Sequence, residues 1–381
     1  MRRALLAVVA VAALLAAPVR ASSDDLTRTA TPPRVDAAAF YLVGVDGTVL
    51  ARHRARQQRP IASITKLMTA IVVLERSDLA DVVTVPPRAA SIGGSTAFLR
   101  AGEQLTVADL LRAMLVLSAN DAAETLALHV GRGSTSRFVA AMNARARGLG
   151  LVDTHFTNPH GLDAAGHVSS ARDTTLLVRY ALGVPFVRDA LARTSVSLPG
   201  GRELPSTDDL LESWPPLVGG KTGHTDDAGW SQAAAAAAKG AIVYGSVLGT
   251  RGRAERNEAL RTMLAYGLDR YRRVSVIDTA RVYSEAETGY GRPGVELVAP
   301  RAVVRTLLEG TSLVERVVAP ESVGLPVRAG ATLGHVEIYS GDRLLASSNL
   351  VAASAVSEPG LFGKAWWYTR TTAANLWGLV T

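Results

Sequence analysis

The chain has no cysteine in 381 residues, which excludes a disulfide framework, thiolate metal sites, a cysteine nucleophile and a lipid anchor on cysteine. Lysine is almost as rare, occurring only at 66, 221, 239 and 364, while arginine supplies every other basic residue. Arginine replaces lysine wherever only charge matters but cannot supply a neutral amine, so each remaining lysine asks for a reason. The seven histidines include no His-x-His and no His-Glu-x-x-His, which argues against a zinc peptidase and against any metal. No apolar run reaches the 18 or so residues that a membrane-spanning helix needs.

What is present is a folded chain, 48% apolar and 20% charged, long enough for two domains. Met1-Arg2-Arg3, an apolar run from Ala4 to Ala17 and small residues at 19 and 21 read as a secretory signal peptide, residues 1–21. Its removal takes three of the 41 basic residues and leaves 38 against 34 acidic ones, a net charge of +4. That modest charge on an exported chain without an RNA-binding motif excludes nucleic acid as a partner. The expected localisation is extracytoplasmic.

Residues 22–38 are polar, with Thr31-Pro32-Pro33, and read as a linker. Ala39–Val45 and Val49–His53 flank Asp46-Gly47, the signal of a two-residue hairpin. Helical patterns follow at 63–76, 107–117, 121–130, 136–149 and 171–182. A strand pair at 230–237 and 240–248 and a closing helix at 254–268 complete a catalytic domain over 39–270, of α/β or α+β class. From 271 to 358 short strands alternate with Gly, Pro and Asp, as in a small all-β domain. Residues 359–381 hold three of the five tryptophans and form an amphipathic pattern interrupted by Lys364, Arg370 and Asn375, fit for peripheral contact with a membrane surface.

Ser63-Ile64-Thr65-Lys66 is the sole Ser-x-x-Lys. On a helix, i and i+3 share a face, so the Ser63 hydroxyl and the Lys66 amine can meet as nucleophile and base if the amine is neutral. Lys221-Thr222-Gly223 is the sole Lys-Thr-Gly. Its charge and hydroxyl suit a carboxylate, Gly223 would let a substrate backbone lie along the strand, and a second lysine near Lys66 would help keep that amine neutral. Ser118-Ala119-Asn120 has a rival of the same form at Ser347-Ser348-Asn349, and only its order and spacing favour it.

Together these elements resemble the serine acyl-transferases that react with penicillin, and within them the low-molecular-mass penicillin-binding D-alanyl-D-alanine carboxypeptidases. Pro60–Ala70 looks like the nucleophile segment, Ser118–Ala123 like the second motif and Gly220–Thr225 like the third. Asn158–Asp163 and Ser170–Asp173 look like intervening segments. Ala119 stands where glycine is usual, and Pro205–Leu211 lacks the expected Asn-rich pattern. The resemblance implies a β-lactamase/transpeptidase-like catalytic domain. It implies peptidoglycan stem peptides as substrate, covalent inhibition by β-lactams and no cofactor. Ser63 would attack, Lys66 would take its proton, and Ser118 would bridge Lys66 and Lys221. Asn120 would hold the substrate amide, and the backbone N–H groups of Ser63 and His224 would form the oxyanion hole. Lys221, Thr222 and Arg256 would bind the terminal carboxylate. The Glu-x-x-Leu-Asn loop of a β-lactamase is missing.

Overall fold

The computed structural model describes residues 17–18 and 33–377. Apart from Ala17–Pro18, which pairs with Glu315 and Val314, the expected signal peptide lies outside the described residues, as does most of the linker. The chain divides into two compact units, one ending at Tyr271 and the other beginning at Arg272.

The first unit is built on a five-stranded antiparallel sheet. Its strands are β1 (Ala39–Gly44), β2 (Val49–His53), β3 (Leu217–Thr225), β4 (Gly229–Ala238) and β5 (Ala241–Thr250), in the order β2-β1-β5-β4-β3. The hairpin joining β1 and β2 differs from the two-residue turn that Asp46-Gly47 predicts. Gly47 N–H donates to the Gly44 carbonyl and Gly44 N–H to the Thr48 carbonyl, with Gly47 at φ +88°. This is a three-residue turn with a bulge, favoured because Asp46 also accepts from the Thr48 N–H and hydroxyl.

Alanine is a poor strand former, yet Ala233–Ala236 are wholly buried in β4. Tertiary packing overrides propensity here, because the helices Ala171–Leu182 and Arg253–Asp269 both lie against β4 and β5. Small side chains allow that approach: a Cβ on Gly245 would lie 2.6 Å from Met263 Cε.

A helical layer carries the rest of the core. Its centre is α1 (Lys66–Leu74), preceded by a single 3₁₀ turn over Ala62–Thr65. Lys66 to Val73 are all buried, so α1 is covered all round rather than along one stripe. Around it stand α2 (Val107–Val116), α3 (Asn120–Val130) and α4 (Thr135–Gly148). Thr106 caps α2 reciprocally with Asp109, and Ser134 caps α4, which fixes where these helices start.

The second unit is strand-rich with its own core, including Ile277, Val295, Leu297, Val336 and Leu350. Its longest strands are Thr332–Ser340 and Arg343–Ala352. The second runs beyond the expected Leu344–Ala346, because Ala346, Leu350 and Ala352 point inward while Ser347 and Asn349 face solvent. Ser347-Ser348-Asn349 is thus a piece of strand in the second unit.

The tail forms a helix over Leu361–Trp377. Leu361, Phe362, Trp366 and Tyr368 are exposed, whereas Trp367 packs edge-on against Tyr290 of the same unit. Lys364 pairs with Glu358 at 2.5 Å and lies over the Tyr290 ring. Among the described residues no helix is long and apolar enough to cross a membrane.

Candidate active site

The 3₁₀ turn at Ala62–Thr65 places Ser63 one turn before the buried start of α1. Lys66 Nζ lies 2.8 Å from Ser63 Oγ, 2.7 Å from Asn120 Oδ1 and 2.6 Å from the His160 carbonyl. The two carbonyl-type oxygens can only accept. An ammonium has one hydrogen for each of the three oxygens, whereas a neutral amine has two for the carbonyl-type pair and a lone pair that can receive the Ser63 hydroxyl proton. Burial holds the Lys66 amine well below the usual lysine range, the charge of Lys221 pushes the same way, and Asp121 opposes. The electrostatics therefore favour the neutral amine, and the three contacts are compatible with it.

Two segments press on the backbone of Ser63. Asn158 Oδ1 accepts from the N–H groups of His160 and Gly161, folding a tight loop that aims the His160 carbonyl at Lys66. A Cβ on Gly161 would lie 2.0 Å from the Ala62 carbonyl oxygen, and one on Gly223 would lie 2.8 Å from the Ile61 carbonyl oxygen. Gly223 is required by the approach of β3 to the enzyme's own Ile61–Ser63 segment, a reason other than the passage of substrate that the sequence suggested. Ala62 at φ +47° and Ser118 at φ +71° are both in the left-handed region that non-glycine residues avoid, a form of strain that collects at functional sites.

Ser118 lines the cavity with Ser63, but the expected bridge to both lysines is not formed. No hydrogen bond joins Ser118 to either of them among the described residues, and Lys221 Nζ donates to the Thr222 carbonyl at 3.1 Å. Asn120 is likewise committed, with its Nδ2 donating to the Gly93 carbonyl at 2.7 Å and its Oδ1 facing Lys66. Its observed partners are Lys66 and the Gly93 carbonyl.

The far end of the cavity, about 380 Å³ in volume, is cationic and hydroxylic. Thr222 and Thr207 hydroxyls meet at 2.6 Å, and Arg256 lines the same wall. Arg256 is 2% exposed, lies against the Trp230 ring, donates to Asn257 and pairs with Asp209 at 3.7 Å. Burial lowers the Lys221 amine to about 7, against the pull of Asp208. His224 stacks on Trp230 at 4.1 Å at the mouth.

Sequence reasoning missed Thr207, Asp208, Gly161 and the His160 carbonyl. The segment that lacks the expected asparagines, Pro205–Leu211, delivers Thr207 to Thr222. It also buries Asp208, which accepts from Gln232 Nε2 at 2.7 Å. Among the described residues no cluster of His, Asp and Glu could hold a metal ion.

The arrangement, a serine hydroxyl against a buried lysine amine, is compatible with a serine peptidase. The sequence model described as D-alanyl-D-alanine carboxypeptidase matches residues 26–252, and the chain belongs to that peptidase family. It is 30% identical over 365 residues to the D-alanyl-D-alanine carboxypeptidase DacD of Salmonella typhimurium, covering 90% of this chain and 92% of that protein. It is 31% identical to DacC of Escherichia coli, covering 89% of each. Among solved structures, penicillin binding protein 5 of Haemophilus influenzae superposes with a TM-score of 0.63 at 27% identity, over 86% of this chain and all of that one. The Streptomyces K15 DD-transpeptidase, 30% identical, matches 63% of this chain with a TM-score of 0.60.

Proposed function

We infer that this protein is a serine-type D-Ala-D-Ala carboxypeptidase that removes the terminal D-alanine from peptidoglycan pentapeptides and is acylated by penicillin. The observation that carries the site assignment is the fully buried Lys66 amine, 2.8 Å from Ser63 Oγ, with its other two contacts on oxygens that cannot donate.

The terminal carboxylate sits between the Thr207 and Thr222 hydroxyls, Arg256 and Lys221. This places the preceding carbonyl at Ser63. Ser63 Oγ bonds to that carbon as its proton passes to Lys66 Nζ. The tetrahedral oxyanion is held by the backbone N–H groups of Ser63 and His224, a role supported by the close approach of β3 to Ser63 N. The C–N bond then breaks, and the proton on Lys66 moves to the departing D-alanine amine, with Ser118 on the cavity wall as relay. Water, deprotonated by Lys66, attacks the ester and frees Ser63.

None of the described residues lining the cavity is acidic, so no carboxylate is placed to activate water against a bulky penicilloyl ester. Incubation with penicillin followed by mass spectrometry tests the assignment. A covalent adduct on Ser63 lasting minutes or longer supports it; rapid multiple-turnover hydrolysis of penicillin, or an adduct elsewhere, overturns it.

Export is supported by the leader pattern of residues 1–21. Peripheral attachment to the outer face of the cytoplasmic membrane is supported by the exposed Leu361, Phe362 and Trp366 of the terminal helix. In this reading the β-rich unit, residues 271–358, is a spacer.

A further inference from the structure

Phe98 combines two features that do not ordinarily occur together. It is 78% exposed, the only exposed phenylalanine of the five in the first unit, and its backbone sits at φ +55°. Its neighbours Ala97 and Leu99 are buried. The backbone conformation has an identifiable cause. Asp121, buried in the first turn of α3, accepts from Ala97 N–H and Leu99 N–H, one on each carboxylate oxygen and both at 3.0 Å. Arg202 fixes the Ala97 carbonyl from the other side at 3.0 Å. Two N–H groups aimed at one carboxylate leave the residue between them in the left-handed region, which suits glycine or asparagine and costs a bulky residue about 1–2 kcal/mol. The clamp therefore explains the conformation but not the aromatic ring.

The position of the loop supplies a reason. Ser95 and Gly94 line the active cavity, and three residues of chain span at most about 11 Å, so Phe98 stands within that distance of the cavity wall. Asn120, which contacts Lys66, and Asp121, which clamps the loop, are consecutive at the start of α3. The loop that carries Phe98 is therefore held by the same helix end that contacts Lys66. An exposed aromatic ring on a hydrogen-bonded stretch of backbone gains free energy by taking apolar surface out of water.

We propose that Phe98 is a substrate-docking residue whose ring receives an aliphatic C–H surface of the part of the substrate that extends outside the cavity. The proposal rests on the carboxypeptidase reading above. Two parts of a peptidoglycan fragment offer such a surface, the face of a sugar ring and the methylene chain of a stem-peptide side chain.

The test compares kcat/KM of the mature full-length enzyme on three substrates ending in D-Ala-D-Ala: a short acetylated tripeptide, a free pentapeptide and a disaccharide pentapeptide. Phe98→Ala should lower kcat/KM on a long substrate about tenfold more than on the tripeptide, as expected for one lost apolar contact. A selective loss on both long substrates assigns the contact to the peptide, and a loss confined to the disaccharide form assigns it to the sugar. Phe98→Tyr should restore the selectivity. Phe98→Gly should melt no lower than wild type, since glycine suits φ +55°, and yet show the same selective loss. Equal losses on all three substrates, or none on any, would overturn the proposal. Failure of the wild type to label with penicillin would instead overturn the carboxypeptidase reading.

Discussion

Gly161 and Gly223 meet the same peptide from two distant parts of the chain: Cβ atoms placed on them would lie 3.0 and 3.1 Å from Ser63 N. The nucleophile's backbone is thus held by contacts that leave no room for a methyl group.

Gly161→Ala should cost more than Gly102→Ala, although both glycines have φ near +85°. Nothing lies within 4 Å of a Cβ on Gly102, so that variant bears only backbone strain, roughly 1 kcal/mol. At Gly161 the Ala62–Ser63 peptide must also move, and misplacement of a reacting atom by about 1 Å can cost about a hundredfold in rate. Penicillin acylation rates should fall at least that far for Gly161→Ala and stay near wild type for Gly102→Ala. Similar rates for the two would show that the clamp does not position Ser63.

Lys66→Arg should be nearly as damaging as Lys66→Ala. Arginine keeps the charge but stays protonated with a pKa above about 12, so it has no lone pair for the Ser63 proton. Either change should reduce acylation by several orders of magnitude. Substantial acylation by the arginine variant would reassign Lys66 to a purely electrostatic role.

The cationic end of the cavity makes signed predictions. Thr207→Val removes the hydroxyl that meets Thr222; in the proposed reading it receives the substrate carboxylate, a charge-assisted hydrogen bond worth about 1.5–3 kcal/mol. It should therefore raise KM for a D-Ala-D-Ala peptide by roughly tenfold or more. Lys221, lowered to about 7, is charged below that pH and loses its charge as pH rises through it. kcat/KM for a substrate with a free carboxylate should therefore decline above about pH 7, and Lys221→Arg should move that decline to higher pH. A profile unchanged by the arginine substitution would exclude Lys221 as the titrating group.

Deleting residues 360–381 should move the protein from the membrane fraction to the soluble one with peptide turnover intact. Each large side chain is worth about 1.5–3 kcal/mol at full burial and less at an interface, so binding by Leu361, Phe362 and Trp366 should be reversible. Retention of the truncated protein on membranes would place the anchor elsewhere. Loss of folding would show that the Trp367–Tyr290 contact makes the helix part of the unit it leaves.

The sequence by itself determined the local matters. Hydrophobic period marked helices at 107–117 and 171–182, observed at 107–116 and 171–182, and Gly and Asp marked the turns between short strands. Ser63 and Lys66 are paired by the three-residue spacing of a helical turn, which needs no knowledge of the rest of the chain. The scarcity of lysine made Lys66 and Lys221 stand out for a chemical reason.

Tertiary structure decided whatever depends on segments far apart in sequence. It placed Ser347-Ser348-Asn349 in a strand of the second unit, where no local pattern distinguished it from Ser118-Ala119-Asn120. It supplied Lys66 with the His160 carbonyl, a backbone atom 94 residues away that carries no side-chain signature. It brought Thr207 to Thr222 from a loop whose composition pointed to nothing, and it gave Gly223 its reason in the Ile61–Ser63 backbone. A sequence pattern reports side-chain types at a fixed spacing. Which carbonyl faces an amine, and which glycine has no room for a methyl, is settled only when the whole chain has packed.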